Sequence, residues 1–357
     1  MDNNCEKKLK ELLELTIQQE ASDLHFSTGH PPVLRISGKL IPVPKAKKIT
    51  SNDAQCFAYA LMTEQHKERL PKEKAIDFSY NFEGKARFRV NVFFQRGDIS
   101  CALRLIPPKI KTIEELNLPP ILYDFTKANQ GFVLVTGPAN HGKSTTLAAL
   151  INEINHNRAD HIITIEDPIE YLFVDDKAII DQRELYQDTM SFSGALKSAF
   201  RQDPDVIMVG EMRDTNTVST AITAAETGHL VFATLHTNSA AQSVHRIIDS
   251  FPAEQQSQVR AQLSGSLLGV FSQRLIPAIN GGLIPACEVM LNTPAVANLI
   301  RENRTHELSV VIETSGEAGM VSLNQFLADL VTKEKITRTV ALSYSLNPEE
   351  LNMLIKK

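Results

Sequence analysis

The stretch FVLVTGPANHGKSTTLAAL, residues 132–150, leaves little freedom for local structure. Apolar and β-branched residues run up to Thr136 as in a buried strand, Gly137 and Gly142 bracket a turn, and an Ala/Leu-rich pattern from Ser144 has helical period. Gly, four residues, Gly, Lys, Ser is the spacing of a phosphate-binding loop, and it stands in the strand-to-helix context that such a loop needs. The chemistry explains the residue types. Gly137, Ala139, Asn140, His141 and Gly142 would turn backbone N–H groups onto phosphate oxygens, with Pro138, which has no N–H, shaping the same loop, while Lys143, Ser144 and Thr145 open a helix whose positive end faces the same anion. Lys143 would reach the β and γ phosphates and the Ser144 hydroxyl a Mg²⁺ ion, so ATP and Mg²⁺ are the expected ligands.

With 357 residues the chain has room for two cores. Residues 7–20 carry Leu9, Leu12, Leu13 and Ile17 on one helical stripe; 21–29 and 31–43 alternate as strands; 51–70 reads as a helix or two; and 86–107 reads as two strands turning near Gly97. This is an α+β module, assigned to 1–106. His25 within it reads as a structural histidine. Arg87, Arg89, Arg96 and Arg104 sit on the paired strands, either as a solvated basic face or for anion recognition. Pro107–Pro108 and Pro119–Pro120 bracket an expected linker, 107–120.

The remaining domain, 121–357, alternates strands 132–136, 161–166, 206–209 and 230–235 with helices 144–155, 191–202 and 215–227. Such alternation predicts a mainly parallel, doubly wound α/β sheet that binds its ligand at the strand C-terminal ends. Beyond Pro252 helices are expected at 253–274, 294–303 and 323–333.

Three further groups fall at those strand ends. Glu211 follows the apolar run 206–209 and could hold Mg²⁺, directly or through water, or polarise the attacking water. IEDPIE, 165–170, packs three carboxylates into a strand tip, with Glu166 the candidate general base; a solvated acidic turn is the alternative. His229 and His236 flank the strand 230–235, and a histidine at a strand tip can sense the γ-phosphate or a neighbouring subunit.

Composition excludes some classes. A net charge of −5 with pI near 6.1 gives no global basic footprint, so no nucleic-acid partner is expected. Cys5, Cys56, Cys101 and Cys287 are far apart, which suggests neither a zinc site nor a disulfide framework and fits a reducing, cytosolic setting. The charged first twenty residues do not read as a signal peptide, and no stretch reads as a membrane span, so membrane association would come through a partner.

In order along the chain, the phosphate loop, IEDPIE, GEMRD (210–214) and TGHLVFATLHT (227–237) resemble the secretion ATPase superfamily. ASDLHFSTG, ARFRVN, VLVTGP, KSTTLAAL, HIITIEDPIE, AAETGHLVFATLHT and FPAEQQ resemble its type IV pilus retraction branch, the PilT/PilU type, over about residues 9–330. The resemblance implies a PAS-like N-terminal domain and a RecA-like P-loop ATPase domain with a helical C-terminal part, assembled as a homohexamer. It implies a cytoplasmic position at the inner face of the membrane, beside an inner-membrane pilus platform protein and a paralogous retraction ATPase. It assigns Glu166 to the acidic box, Glu211 to the Walker B glutamate, His229 and His236 to the histidine box, and Arg89, Arg96 and Arg104 to nucleotide contact. The long N-terminal region and four-cysteine module usual in extension and type II secretion ATPases have no counterpart in these residues.

Two departures stand out. Ala139, Asn140 and His141 occupy positions where the resembled family has Thr, Gly and Ser, so a bulky titratable ring is expected beside the phosphates. Ala297, in the helix 295–302, stands where that family has arginine. The expected function is ATP hydrolysis driving pilus retraction and twitching motility; a slow accessory nucleotide-binding subunit or a related secretion ATPase is the alternative.

Overall fold

The computed structural model describes residues 3–36, 38–107 and 109–356. The chain divides into two compact units: residues up to Lys109 with Asp167–Leu172, and Ile110–Glu166 with Phe173 onward.

Among the described residues, the first unit contains β1 (Asp23–Ser27), β2 (Val33–Ile36), β3 (Lys39–Pro42), β4 (Ala75–Phe82), β5 (Ala86–Gln95) and β6 (Asp98–Ile106). They form one antiparallel sheet in the order β3-β2-β1-β6-β5-β4. The alternation along β5 explains its place. Phe88, Val90 and Val92 are buried in the apolar core with Leu9, Leu13 and Phe57, while Arg87, Arg89 and Asn91 occupy the other face. Helices Asn3–Gln18, Ser51–Leu61 and Glu64–Glu73 complete this α+β unit. The helical run splits at Thr63 because its hydroxyl accepts the His66 N–H, a capping box that starts a new helix.

The absence of a disulfide framework expected from cysteine spacing is corrected here: Cys5 and Cys56 are bonded. Helix Asn3–Gln18 packs beside helix Ser51–Leu61, so residues distant in sequence meet through tertiary packing that no short spacing announces.

The second unit carries β7 (Gly131–Thr136), β8 (His161–Glu166), β9 (Ile179–Glu184), β10 (Val206–Val209), β11 (Leu230–Leu235), β12 (Leu267–Pro277) and β13 (Leu283–Leu291). Their order is β13-β12-β7-β11-β10-β8-β9, parallel throughout except for β13. Every residue of β7 is buried: Phe132 and Leu134 enter one core and Val133 and Val135 the other, so helices cover both faces. This is the mainly parallel, RecA-like α/β domain, and helices Leu323–Thr332, Arg338–Tyr344 and Pro348–Ile355 build its C-terminal part around Leu327 and Leu351.

Three elements depart from the sequence reading. The helix expected over 253–274 ends at Ser266, and the chain continues as β12, because LLGVFSQRLIP finds backbone partners on both β7 and β13. The edge strand β9 is largely polar and has no apolar alternation to betray it. Ile113 and Leu118, within the expected linker, are buried in the second unit's core. No described helix is long and apolar enough to cross a membrane.

The disulfide closes a 51-residue separation. Cys5→Ser is therefore expected to lower stability by about 2–4 kcal/mol under oxidising conditions and to make a clearly smaller difference once a reductant is present, as denaturant unfolding with and without dithiothreitol will measure.

Candidate functional site

The site is built where β7 ends. Gly137 has φ +148°, and a Cβ placed there would lie 2.3 Å from the Gln273 carbonyl oxygen on β12, so only glycine lets the backbone pass. Asn140 takes the left-handed turn at φ +63°, a conformation its short polar side chain tolerates better than most. Gly142, at φ +82°, precedes the helix Lys143–Asn157.

Lys143 is almost wholly buried, 8% exposed, and its Nζ donates to the carbonyls of Gly137 (2.9 Å) and Pro138 (2.8 Å). The same ammonium lies 3.3 Å from His236 Nδ1. An ammonium only donates, so Nδ1 accepts and the ring proton sits on Nε2, which faces Glu211 Oε1 at 3.2 Å. Arg213 Nη2 reaches the other Glu211 oxygen at 2.8 Å. Burial would raise the Glu211 carboxyl, but the Arg213 hydrogen bond and charge, with His236 behind them, outweigh it and hold it below the ordinary carboxylate range. Sequence neighbours do not make this line. Parallel pairing does, since β7, β11 and β10 are adjacent and in register, so that Thr136, Leu235 and Val209 end at one edge and release Gly137, His236 and Gly210 together.

Glu166 comes out at that same edge, one strand further on. β8 pairs with β10, the Gly210 N–H donates to Ile165 O at 2.8 Å, and a Cβ on Gly210 would meet the Glu166 Cα at 3.4 Å. The Glu166 side chain is 8% exposed and accepts from the Thr164 hydroxyl (2.6 Å) and the Gln182 amide (3.1 Å). Ser144, by contrast, is exposed at the start of its helix. The segment bearing His236 is anchored behind the site, where the Ala240 N–H donates to Glu288 Oε1 at 2.6 Å.

Some predicted residues lie elsewhere. His229 precedes β11, beside Gly131, at the opposite end of the strand from His236; its Nδ1–H donates to Ala224 O at 2.9 Å and its ring meets Phe200 edge-on. Within this chain it does not join the loop, because a strand running between the two histidines carries them to opposite edges. Arg89 and Arg104 belong to the first unit, where they are cross-strand partners. Glu170 Oε1 lies 3.1 Å from Arg89 and Asp23 Oδ1 3.1 Å from Arg104, so the acidic segment divides: Glu166 stays in the second unit while Glu170 pairs in the first. Arg96 is separate from both, exposed on the hairpin turn at φ +52°.

His141 does not present a free ring. Its Nδ1 accepts the Leu275 N–H at 2.9 Å, its carbonyl accepts Gln273 Nε2 at 2.7 Å, and both partners belong to β12. Burial, then the charges of Arg274 and Lys143, push its pKa below the usual histidine value, which keeps the ring an acceptor. Sequence reading missed Gln273 and Leu275 because it assigned their surroundings to a helix, and it missed Arg213 as the partner of Glu211.

A Gly-bounded loop between a buried strand and a helix, at the C-terminal edge of a parallel sheet with a Lys–His–Glu line, defines a phosphate-loop nucleotide-binding protein. The family model described as type II/IV secretion system protein matches residues 1–349, and the chain belongs to that family. It is 44% identical to the type IV pilus retraction ATPase PilT of Pseudomonas aeruginosa, over 96% of this chain and 99% of that protein. It is also 40% identical to the type IV pilus ATPase PilU of the same organism, over 98% of this chain and 91% of that one. A crystal structure of the pilus retraction motor PilT with bound ADP superimposes with a TM-score of 0.89, at 44% identity over 96% of this chain and 98% of that one.

Two outcomes follow from this geometry. Gly137→Ala is expected to cost several kcal/mol or to abolish nucleotide binding, since its Cβ would strike backbone rather than a side chain that can move, and melting curves with and without ADP will read both effects. The His141 bond to Leu275 contributes fully above the unfolded histidine pKa of about 6.5 and is lost as pH falls through the lower folded value. His141→Asn keeps an acceptor but cannot titrate, so its melting temperature should fall less steeply than the parent's over that acidic interval.

Proposed function

We propose that this chain is an ATP-hydrolysing motor that drives type IV pilus retraction, and with it twitching motility. The observation that carries the reading is the Lys143–His236–Glu211 line beside the phosphate loop, in a chain whose relatives over nearly its full length are named as pilus ATPases.

The residues fit the ligands. Gly137 lets the loop pass against the Gln273 carbonyl where a Cβ would clash, and the loop and first helical turn, Gly137 to Thr145, would offer N–H groups and the helix end to the phosphates. Lys143 holds β and γ oxygens in place of the Gly137 and Pro138 carbonyls. A hydroxyl and a carboxylate, Ser144 and Glu211, are oxygen donors suited to Mg²⁺ and would hold it, with Arg213 and His236 orienting the carboxylate. Mg²⁺ supplies neutralising charge on the transferred phosphoryl group. Glu166 orients the attacking water and accepts its proton, held for that task by Thr164 and Gln182. His236 passes the state of the Lys143 ammonium to Glu211 through its two ring nitrogens.

The working form is a homohexamer at the cytoplasmic face of the inner membrane, engaging a pilus platform protein and acting alongside a paralogous retraction ATPase. The slow accessory reading loses its main support, since Asn140 supplies the turn that a glycine would and His141 is bonded to β12.

Lys143→Ala is expected to reduce Mg²⁺-dependent phosphate release on the order of a hundredfold or more with the fold intact. Unchanged release would overturn the assignment, and a particle that stays monomeric at every nucleotide concentration would overturn the hexamer.

A further inference from the structure

We propose that Gln273 is a positioning residue for nucleotide binding, clamping the phosphate loop to β12 at three points with His141 as its matched partner. The inference rests on the nucleotide reading of the loop and adds the strand that holds it in shape.

Gln273 is 2% exposed. Its backbone carbonyl is the group that leaves Gly137 no room for a Cβ. The side-chain Nε2 donates to His141 O at 2.7 Å, and Oε1 accepts the Thr146 hydroxyl at 2.6 Å. Two residues along, the Leu275 N–H completes the clamp on the His141 ring. The start of the loop, its crown and the first turn of its helix are thus tied to one strand, more than 120 residues away in sequence.

A phosphate loop works when its N–H groups point at the ligand and its carbonyls point away. Asn140 and Gly142 both have left-handed backbone, a combination that other loop shapes share, so something must select the binding shape. The amide of Gln273 holds the His141 carbonyl, and water cannot stand in for it at a buried position. Ordering the loop before the ligand arrives removes part of the entropy cost of binding. Burial, and after it the charges of Arg274 and Lys143, push the His141 pKa down, which favours the accepting form of the ring that the Leu275 bond uses.

The test measures ADP affinity by isothermal titration, and steady-state ATP hydrolysis, for the parent, Gln273→Leu, Gln273→Glu, His141→Leu and His141→Asn. Gln273→Leu, losing both arms, should raise the ADP Kd and the KM for ATP about tenfold, the worth of a buried hydrogen-bond pair, with a smaller change in kcat. Gln273→Glu keeps the Thr146 arm but sets a carboxylate oxygen against the His141 carbonyl, and should weaken binding at least as much as Gln273→Leu. His141→Leu should weaken binding while His141→Asn, which retains an acceptor for Leu275, restores it. If Gln273→Leu does not fold, Gln273→Glu decides for the Gln273 amide, while the two His141 variants, at a partly exposed residue, decide for the Leu275 bond to the ring. Equal affinities for His141→Leu and His141→Asn, or parent-like constants in both Gln273 variants, would overturn the clamp. A parent that binds neither ADP nor ATP would instead overturn the nucleotide reading beneath it.

Discussion

The site depends on one close approach. As the chain leaves β7 at Gly137 it passes so near the Gln273 carbonyl that a single added carbon would sit 2.3 Å from it. That contact sets the loop against β12, and the loop sets the first turn of helix Lys143–Asn157. Because the contact is backbone against backbone, no rotamer change can relieve it. Glycine at 137 is therefore a packing requirement as well as a conformational one.

Around that contact the parallel sheet does the positioning. In-register pairing of β7, β11 and β10 delivers an ammonium, an imidazole and a carboxylate to one edge from segments far apart in sequence. Their order along the line then follows from donor and acceptor chemistry. Lys143 can only donate, the Glu211 carboxylate held ionised by Arg213 can only accept, and the ring of His236 must do one of each.

Much of this was legible in the residues. The phosphate loop, the strands 132–136, 161–166, 206–209 and 230–235, and the emergence of Glu166 and Glu211 at the ligand edge follow from apolar runs ended by Gly or by acids. What failed to show has physical causes. β12 reads as the continuation of a helix, because a buried run with apolar residues on both faces has no period of two to display. β9 is polar because it stands at an edge, and the Cys5–Cys56 bond joins helices that meet only after folding. His229 and His236 look alike in sequence, and only the direction of β11 tells that one is at the ligand edge and the other is not.

The sequence by itself determined the local pattern: the spacing of a phosphate loop, with carboxylates and a histidine at the ends of parallel strands. Spacing and residue type carry that information locally, over one strand, one turn and one helix. Tertiary structure alone decided which of those residues meet and what restrains them. Gln273 and Leu275 on His141, Arg213 on Glu211, and Glu170 on Arg89 are matches made by packing and register, which no local pattern records. His141 shows the difference most directly. Its sequence neighbours suggest a ring beside the phosphates, and the fold uses that ring to bind the loop to β12.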